Sequence, residues 1–99
     1  MRQGTTPTHL FNVDVDLTTA VVIYITYEQG KRTIIEKTKE DITITENTLE
    51  VKLTQEETLA FSLSSRVDIQ IRARFEDGSA VASNIMRATV EEILKEGVI

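Results

Sequence analysis

Ninety-nine residues, 40% hydrophobic and 27% charged, suit one globular domain and lie outside the low-hydrophobicity, high-charge range of disordered chains. Sixteen acidic against eleven basic residues leave a net charge of −5, which argues against a nucleic-acid partner, because phosphate-tracking affinity comes from Lys and Arg displacing counterions. There is no cysteine, so disulfides and thiolate-bound metals are excluded.

The opening Met1-Arg2-Gln3-Gly4-Thr5-Thr6-Pro7 lacks the basic start and apolar run of a secretory signal. No later segment approaches the roughly 18 apolar residues of a membrane span. The expectation is a chain that stays in the cytoplasm at synthesis and has no membrane partner.

His9-Leu10-Phe11-Asn12-Val13-Asp14-Val15 alternates apolar and polar residues, with Phe11, Val13 and Val15 on the face to be buried, and Pro7 stands where a strand start tolerates a missing donor. Asp16-Leu17-Thr18-Thr19 breaks the pattern as a loop or single helical turn, and Leu17 is a candidate for contact with a partner. Ala20-Val21-Val22-Ile23-Tyr24-Ile25-Thr26-Tyr27 is almost wholly β-branched or aromatic and predicts a central strand buried on both faces. Gly30 supplies a turn, and Arg32-Thr33-Ile34-Ile35-Glu36-Lys37 pairs back as a charged strand near an edge. Asp41–Thr45 and Thr48–Leu53 alternate again about Glu46-Asn47, giving three short strands in the rhythm of a meander.

Thr54-Gln55-Glu56-Glu57 has the form of a capping box and predicts a short helical crossover near residues 54–61. The longest alternation follows: Val67, Ile69, Ile71, Ala73 and Phe75 on one face, Asp68, Gln70, Arg72 and Arg74 on the other. Glu76-Asp77-Gly78-Ser79 turns it into a strand over 80–90, with Val81, Ser83 and Ile85 opposite Ala82, Asn84 and Met86. Residues 91–99 read as either a short helix or a continuation of the strand. About seven strands at intervals of roughly 8–12 residues predict one domain over 1–99, mainly β, an Ig-like, Greek-key antiparallel β-sandwich, with a small closed barrel as the alternative.

Chemical signals are few. His9 is the only histidine, which denies the chain an imidazole metal cluster, and it reads as a surface or rim residue; no Gly-x-Ser-x-Gly marks a serine nucleophile. Ser62, Ser64 and Ser65 read as a loop. The acidic pairs Asp14/Asp16, Glu56/Glu57 and Glu91/Glu92 lack the spacing of a calcium loop or of converging catalytic acids. No catalytic, metal or cofactor-binding residue is assigned, and no cofactor is expected. The polar stripe Gln70, Arg72 and Arg74, with the apolar tail Val98-Ile99, is the candidate partner-contact surface, since Arg is enriched at interfaces, and Tyr24 joins it if the outer side of its strand is uncovered.

Three stretches carry a resemblance: Met1-Arg2-Gln3-Gly4-Thr5-Thr6-Pro7-Thr8-His9, Val51-Lys52-Leu53-Thr54-Gln55-Glu56-Glu57-Thr58, and Val67 through the closing Glu96-Gly97-Val98-Ile99. Together they resemble a group of small proteins found in phages and prophages of gut Firmicutes. That group tends to carry a Gly before the Gln-containing strand, where this chain has Ser64-Ser65-Arg66. The layout is also similar to N-terminal β-sandwich modules of phage baseplate proteins. What the resemblance implies is a non-enzymatic virion or assembly protein that contacts copies of itself or other phage structural proteins, and so a place in the virion once assembled. A ligand- or carbohydrate-binding sandwich, recognised by an exposed aromatic platform, is the alternative.

Overall fold

The computed structural model describes residues 1–99. Eight strands form: β1 (Thr8–Asn12), β2 (Val22–Gln29), β3 (Arg32–Thr38), β4 (Ile42–Thr45), β5 (Thr48–Lys52), β6 (Val67–Arg74), β7 (Ala80–Ala82) and β8 (Met86–Ala88). A 3-10 turn, Lys39–Asp41, joins β3 to β4, and a five-residue helix, α1 (Gln55–Leu59), carries the chain from β5 towards β6.

The strands make two antiparallel sheets. One has the order β1-β5-β4; the other runs β3-β2-β6, with β7 and β8 pairing successively along the far side of β6. Neither sheet closes on itself, so the fold is a sandwich and the barrel alternative falls. Strand order then defines the class. In an immunoglobulin-type sandwich, strands B, E and D face a sheet made of C, F and G, to which variable-type domains add C′ beside C. β1-β5-β4 and β3-β2-β6-β7/β8 follow B-E-D and C′-C-F-G. Strand A is missing as an element; instead Arg2 makes a parallel bridge to Glu91, and Gln3 N donates to the Glu91 carbonyl at 3.0 Å.

β2 and β6 form the spine, paired from Val22–Arg74 to Glu28–Asp68. Ile23, Ile25 and Tyr27 of β2 and Val67, Ile69, Ile71 and Ala73 of β6 face Phe11, Leu49 and Val51 of the other sheet in a single apolar cluster. The apolar run over 20–27 thus yields a central strand as expected, but one buried on a single face: Tyr24, on the other side, is 41% exposed. β3, as expected, is an edge strand.

Turn chemistry sets the hairpins. Gly30 and Lys31 both take positive φ (56° and 64°), the requirement of a two-residue turn matched to strand twist, and they close β2 onto β3. Gly78, at φ 89°, turns β6 into β7, with the Asp77 carboxylate accepting from Ser79 N at 2.9 Å. The capping box on α1 forms as read: Glu57 N donates to Thr54 Oγ1 at 3.1 Å, and Thr54 N donates to Glu57 Oε1 at 2.9 Å.

Several expectations are corrected. β3 belongs to the opposite sheet from β4 and β5, so no meander exists; the 3-10 turn moves the chain across the core. β1 stops at Asn12 and residues 13–16 leave the ladder. The strand expected over 80–90 is broken at residues 83–85, where Ser83 Oγ takes the place of a backbone carbonyl and accepts from Ile71 N at 3.0 Å. That bulge inverts the phase: Val81 packs on the core before it, Met86 and Ala88 after it, and Ile85 is left exposed. Residues 92–99 form neither helix nor strand. Leu17, expected as a contact residue, is 1% exposed and belongs to the core, held by the turn that Asp16 Oδ1 makes with Thr18 N at 2.9 Å.

Leu17→Ala is expected to cost about 3 kcal/mol, as for truncation of a fully buried leucine. Thr54→Ala is expected to cost about 1 kcal/mol through loss of the cap. Urea unfolding of both variants should rank them in that order, and an unaffected Leu17→Ala protein would contradict the buried position.

Candidate functional site

Each polar group singled out in the sequence now has a position. His9, read as a surface or rim residue, is half-buried and reaches between the sheets: its Nδ1 lies 2.7 Å from the Tyr27 hydroxyl. Its ring stands edge-on to Phe11 and tilted against Tyr27, which in turn lies against Phe61. Tyr27 is wholly buried, so its hydroxyl needs a mate, and His9 supplies one across the core. Burial, then the charge of the amino terminus, holds the His9 pKa below 6.5. Burial, then Glu57, pushes the Tyr27 phenol well up, so it stays protonated. This pair joins the sheets.

The serine loop has a similar explanation. Gln29, at the end of β2, is buried; its Nε2 donates to the carbonyls of Ser62 at 2.8 Å and Ser65 at 2.9 Å, and its Oε1 accepts from Ser62 N at 2.7 Å. Periodicity gave no warning of this clamp, because its partners are backbone groups more than thirty residues away. Glu57 of the acidic pair Glu56/Glu57 accepts from Lys37 Nζ at 3.0 Å, tying α1 to β3. Burial raises the Glu57 pKa, but the hydrogen bonds from Lys37 and Thr54 outweigh it and hold the carboxyl low. Asp16 is held low mainly by its bonds from Thr18. No three His, Asp or Glu side chains gather where they would hold a metal ion.

The named contact residues divide. Arg72 and Arg74 project from β6 on the outer face of the five-stranded sheet and are exposed. Gln70 is half-buried beside them, its amide donating to the Ser83 carbonyl at 3.0 Å, so it braces the bulge. Val98 and Ile99 are exposed and lie by α1, where Gln55 holds the Ile99 backbone from both sides. That is the end at which β6 begins, whereas Arg74 closes its other end. Stripe and tail are not one surface.

The same outer face holds Tyr24 opposite Arg72, its strand uncovered on that side, and two residues that sequence reading did not gather, Thr26 opposite Gln70 and Glu28 opposite Asp68. Alternation alone could have placed them outward, but only the register sets them beside β6. A second feature is a cleft of about 450 Å³ between residues 13–17 and the β7/β8 edge, floored by Val13, Leu17, Ile71, Val81 and Met86. It runs between the outer edges of β1 and β7, neither of which has a neighbouring strand.

No protein-family model matches the chain, and no curated protein matches it. Among solved structures it is similar to the V domain of amphioxus IgVJ-C2, at 14% identity over 94% of this chain and 97% of that one, with a TM-score of 0.40. The immunoglobulin-type order rests on the chain's own strand pairing and takes nothing from this likeness. No helix is long and apolar enough to cross a membrane.

Because His9 is held neutral in the fold, the unfolded chain takes up a proton first as pH falls. The stability this contributes is full above pH 6.5 and is lost as pH drops through 6.5 towards the lowered folded value. His9→Gln, which keeps a hydrogen-bonding side chain opposite Tyr27, should flatten the stability profile between pH 7.5 and 5.5 (roughly one unit either side of an ordinary histidine) relative to the parent chain. Parallel profiles for the two would contradict the buried pairing.

Proposed function

We propose that this chain is a non-enzymatic phage or prophage virion or assembly protein that works through protein–protein contacts. The observation that carries the contact reading is the outer face of the five-stranded sheet, where Tyr24, Arg72 and Arg74 project from rigid, paired strands. Tyr and Arg are the side chains that most often anchor interfaces, because they combine large contact area with hydrogen bonding at modest entropic cost. His9 and the serine loop are engaged in structural contacts, His9 with Tyr27 and the Ser62 and Ser65 carbonyls with Gln29. The phage context is supported by the resemblance carried in residues 1–9, 51–58 and 67–99. A carbohydrate-binding reading has less support, since Tyr27 is core and Tyr24 is the tyrosine left outside.

The test is the particle itself. Virions purified from a host producing the phage that encodes this chain are expected to contain its peptides at a fixed ratio to a major structural protein, read by quantitative mass spectrometry. Absence from both virions and assembly intermediates would overturn the reading.

A further inference from the structure

The outer face of the five-stranded sheet carries its charges in two blocks. Along β6 the outward side chains run Asp68, Gln70, Arg72, Arg74; along β2 they run Glu28, Thr26, Tyr24, Val22 in the same direction, because the strands are antiparallel. β3 adds Glu36 opposite Thr26. One end of the face is therefore basic and the other acidic. Glu28 lies directly across from Asp68, a like-charge pair that destabilises a sheet unless a cation relieves it. Arg87 of β8 gives partial relief, its Nε 3.3 Å from Asp68. The chain's other ion pairs are Met1–Glu91 and Lys37–Glu57, so Arg72, Arg74, Glu28 and Glu36 enter none.

We propose that this face binds the same face of a second copy, turned end for end. The two-fold axis lies between the two sheets, runs across the strands, and passes β6 between Gln70 and Arg72. Rotation about it lays β6 over β6 in reverse, placing Arg74 of one copy over Asp68 and the adjoining Glu28 of the other, and Arg72 over Gln70. Symmetry makes every such contact twice, which is how an isologous dimer becomes self-complementary. A two-fold axis along the strands is disfavoured, because it sets Arg on Arg and carboxylate on carboxylate. Tyr24, next to Arg72 near the axis, adds apolar area at the centre of the contact. The face measures about 20 Å along the strands and about 15 Å across them by ordinary strand spacing. That is well below the roughly 800 Å² per partner of a standard interface, so the dimer is weak and concentration-dependent.

This inference rests on the contact reading of the face, but its test uses the purified chain alone. Failure here leaves the virion reading standing, and absence from virions leaves the dimer standing. Sedimentation velocity over a concentration series is expected to show a reversible monomer–dimer equilibrium. Arg72→Glu with Arg74→Glu makes the face acidic at both ends, and Glu28→Lys with Asp68→Lys makes it basic at both ends. Each double variant alone should dimerise at least tenfold more weakly, whereas an equimolar mixture of the two should form a heterodimer tighter than the parent homodimer. Amide shifts that move with concentration should centre on Tyr24, Thr26, Gln70 and Arg72 in the unaltered chain, a readout independent of whether the variants fold well. A parent chain that stays monomeric at the highest concentration, a dimer indifferent to both reversals, a mixture that does not associate, or shifts centred elsewhere would each overturn the proposal.

Discussion

The ladder between β2 and β6 is the constraint on which the rest depends. Seven consecutive pairs, from Val22–Arg74 to Glu28–Asp68, lock the continuous apolar run of β2 and the alternation of β6 in a phase that sends Ile23, Ile25, Tyr27, Ile69, Ile71 and Ala73 to the same side. A slip of one residue in either strand would carry its apolar set into water. At about 25 cal/mol per Å² of apolar surface, no local turn or cap could offset such a loss. The same phase fixes the outer face: Tyr24 and Arg72 are neighbours because Ile23 and Ile71 are core residues.

Around this spine the sandwich is closed by a few long-range polar ties. His9 meets Tyr27 between the sheets, Gln29 clasps residues 62–65, Lys37 meets Glu57, and Thr58 Oγ1 donates to the Thr5 carbonyl at 3.0 Å. No buried side-chain nitrogen or oxygen lacks a hydrogen-bond partner. A buried polar group that lost its mate would cost about 1–3 kcal/mol, so each tie specifies one arrangement of its loop. The consequence for function is a contrast between sides: inside, polar groups are paired, whereas on the outer face of β2, β3 and β6 Arg72, Arg74, Glu28 and Glu36 carry charge without an in-chain counterpart.

The elements legible in advance were those whose cause is local. The alternation of β6, the Asp77-Gly78 turn and the Thr54/Glu57 capping box each arise from residues within a few positions of one another, and each forms where read. The misreadings share the opposite property. Leu17 sits in a polar loop and looked free because nothing nearby in the chain covers it; the core beneath the loop does. The run over 20–27 looked buried on both sides because β-branched residues suit a central strand whether or not a second layer lies above it. The last strand looked continuous because Ser83 has the right alternation, but its hydroxyl competes successfully for the Ile71 amide and breaks the ladder.

Arg72 and Arg74 were legible as an outward stripe from periodicity alone. Their relation to Tyr24, Glu28 and Glu36, and the separation of that stripe from Val98 and Ile99, came from strand order and register. By itself, then, the sequence determined a mainly β chain, the inward and outward faces of β6, and the turns and cap on either side of it, since all of these follow from the two-residue period and from turn stereochemistry. Tertiary structure decided which strand lies beside which, that each sheet stays open with two unpaired edges, that Leu17 belongs inside, and that His9 meets Tyr27 between the sheets. Those outcomes depend on contacts between residues distant in the chain, where burial of one face and pairing of buried polar groups outweigh any local preference.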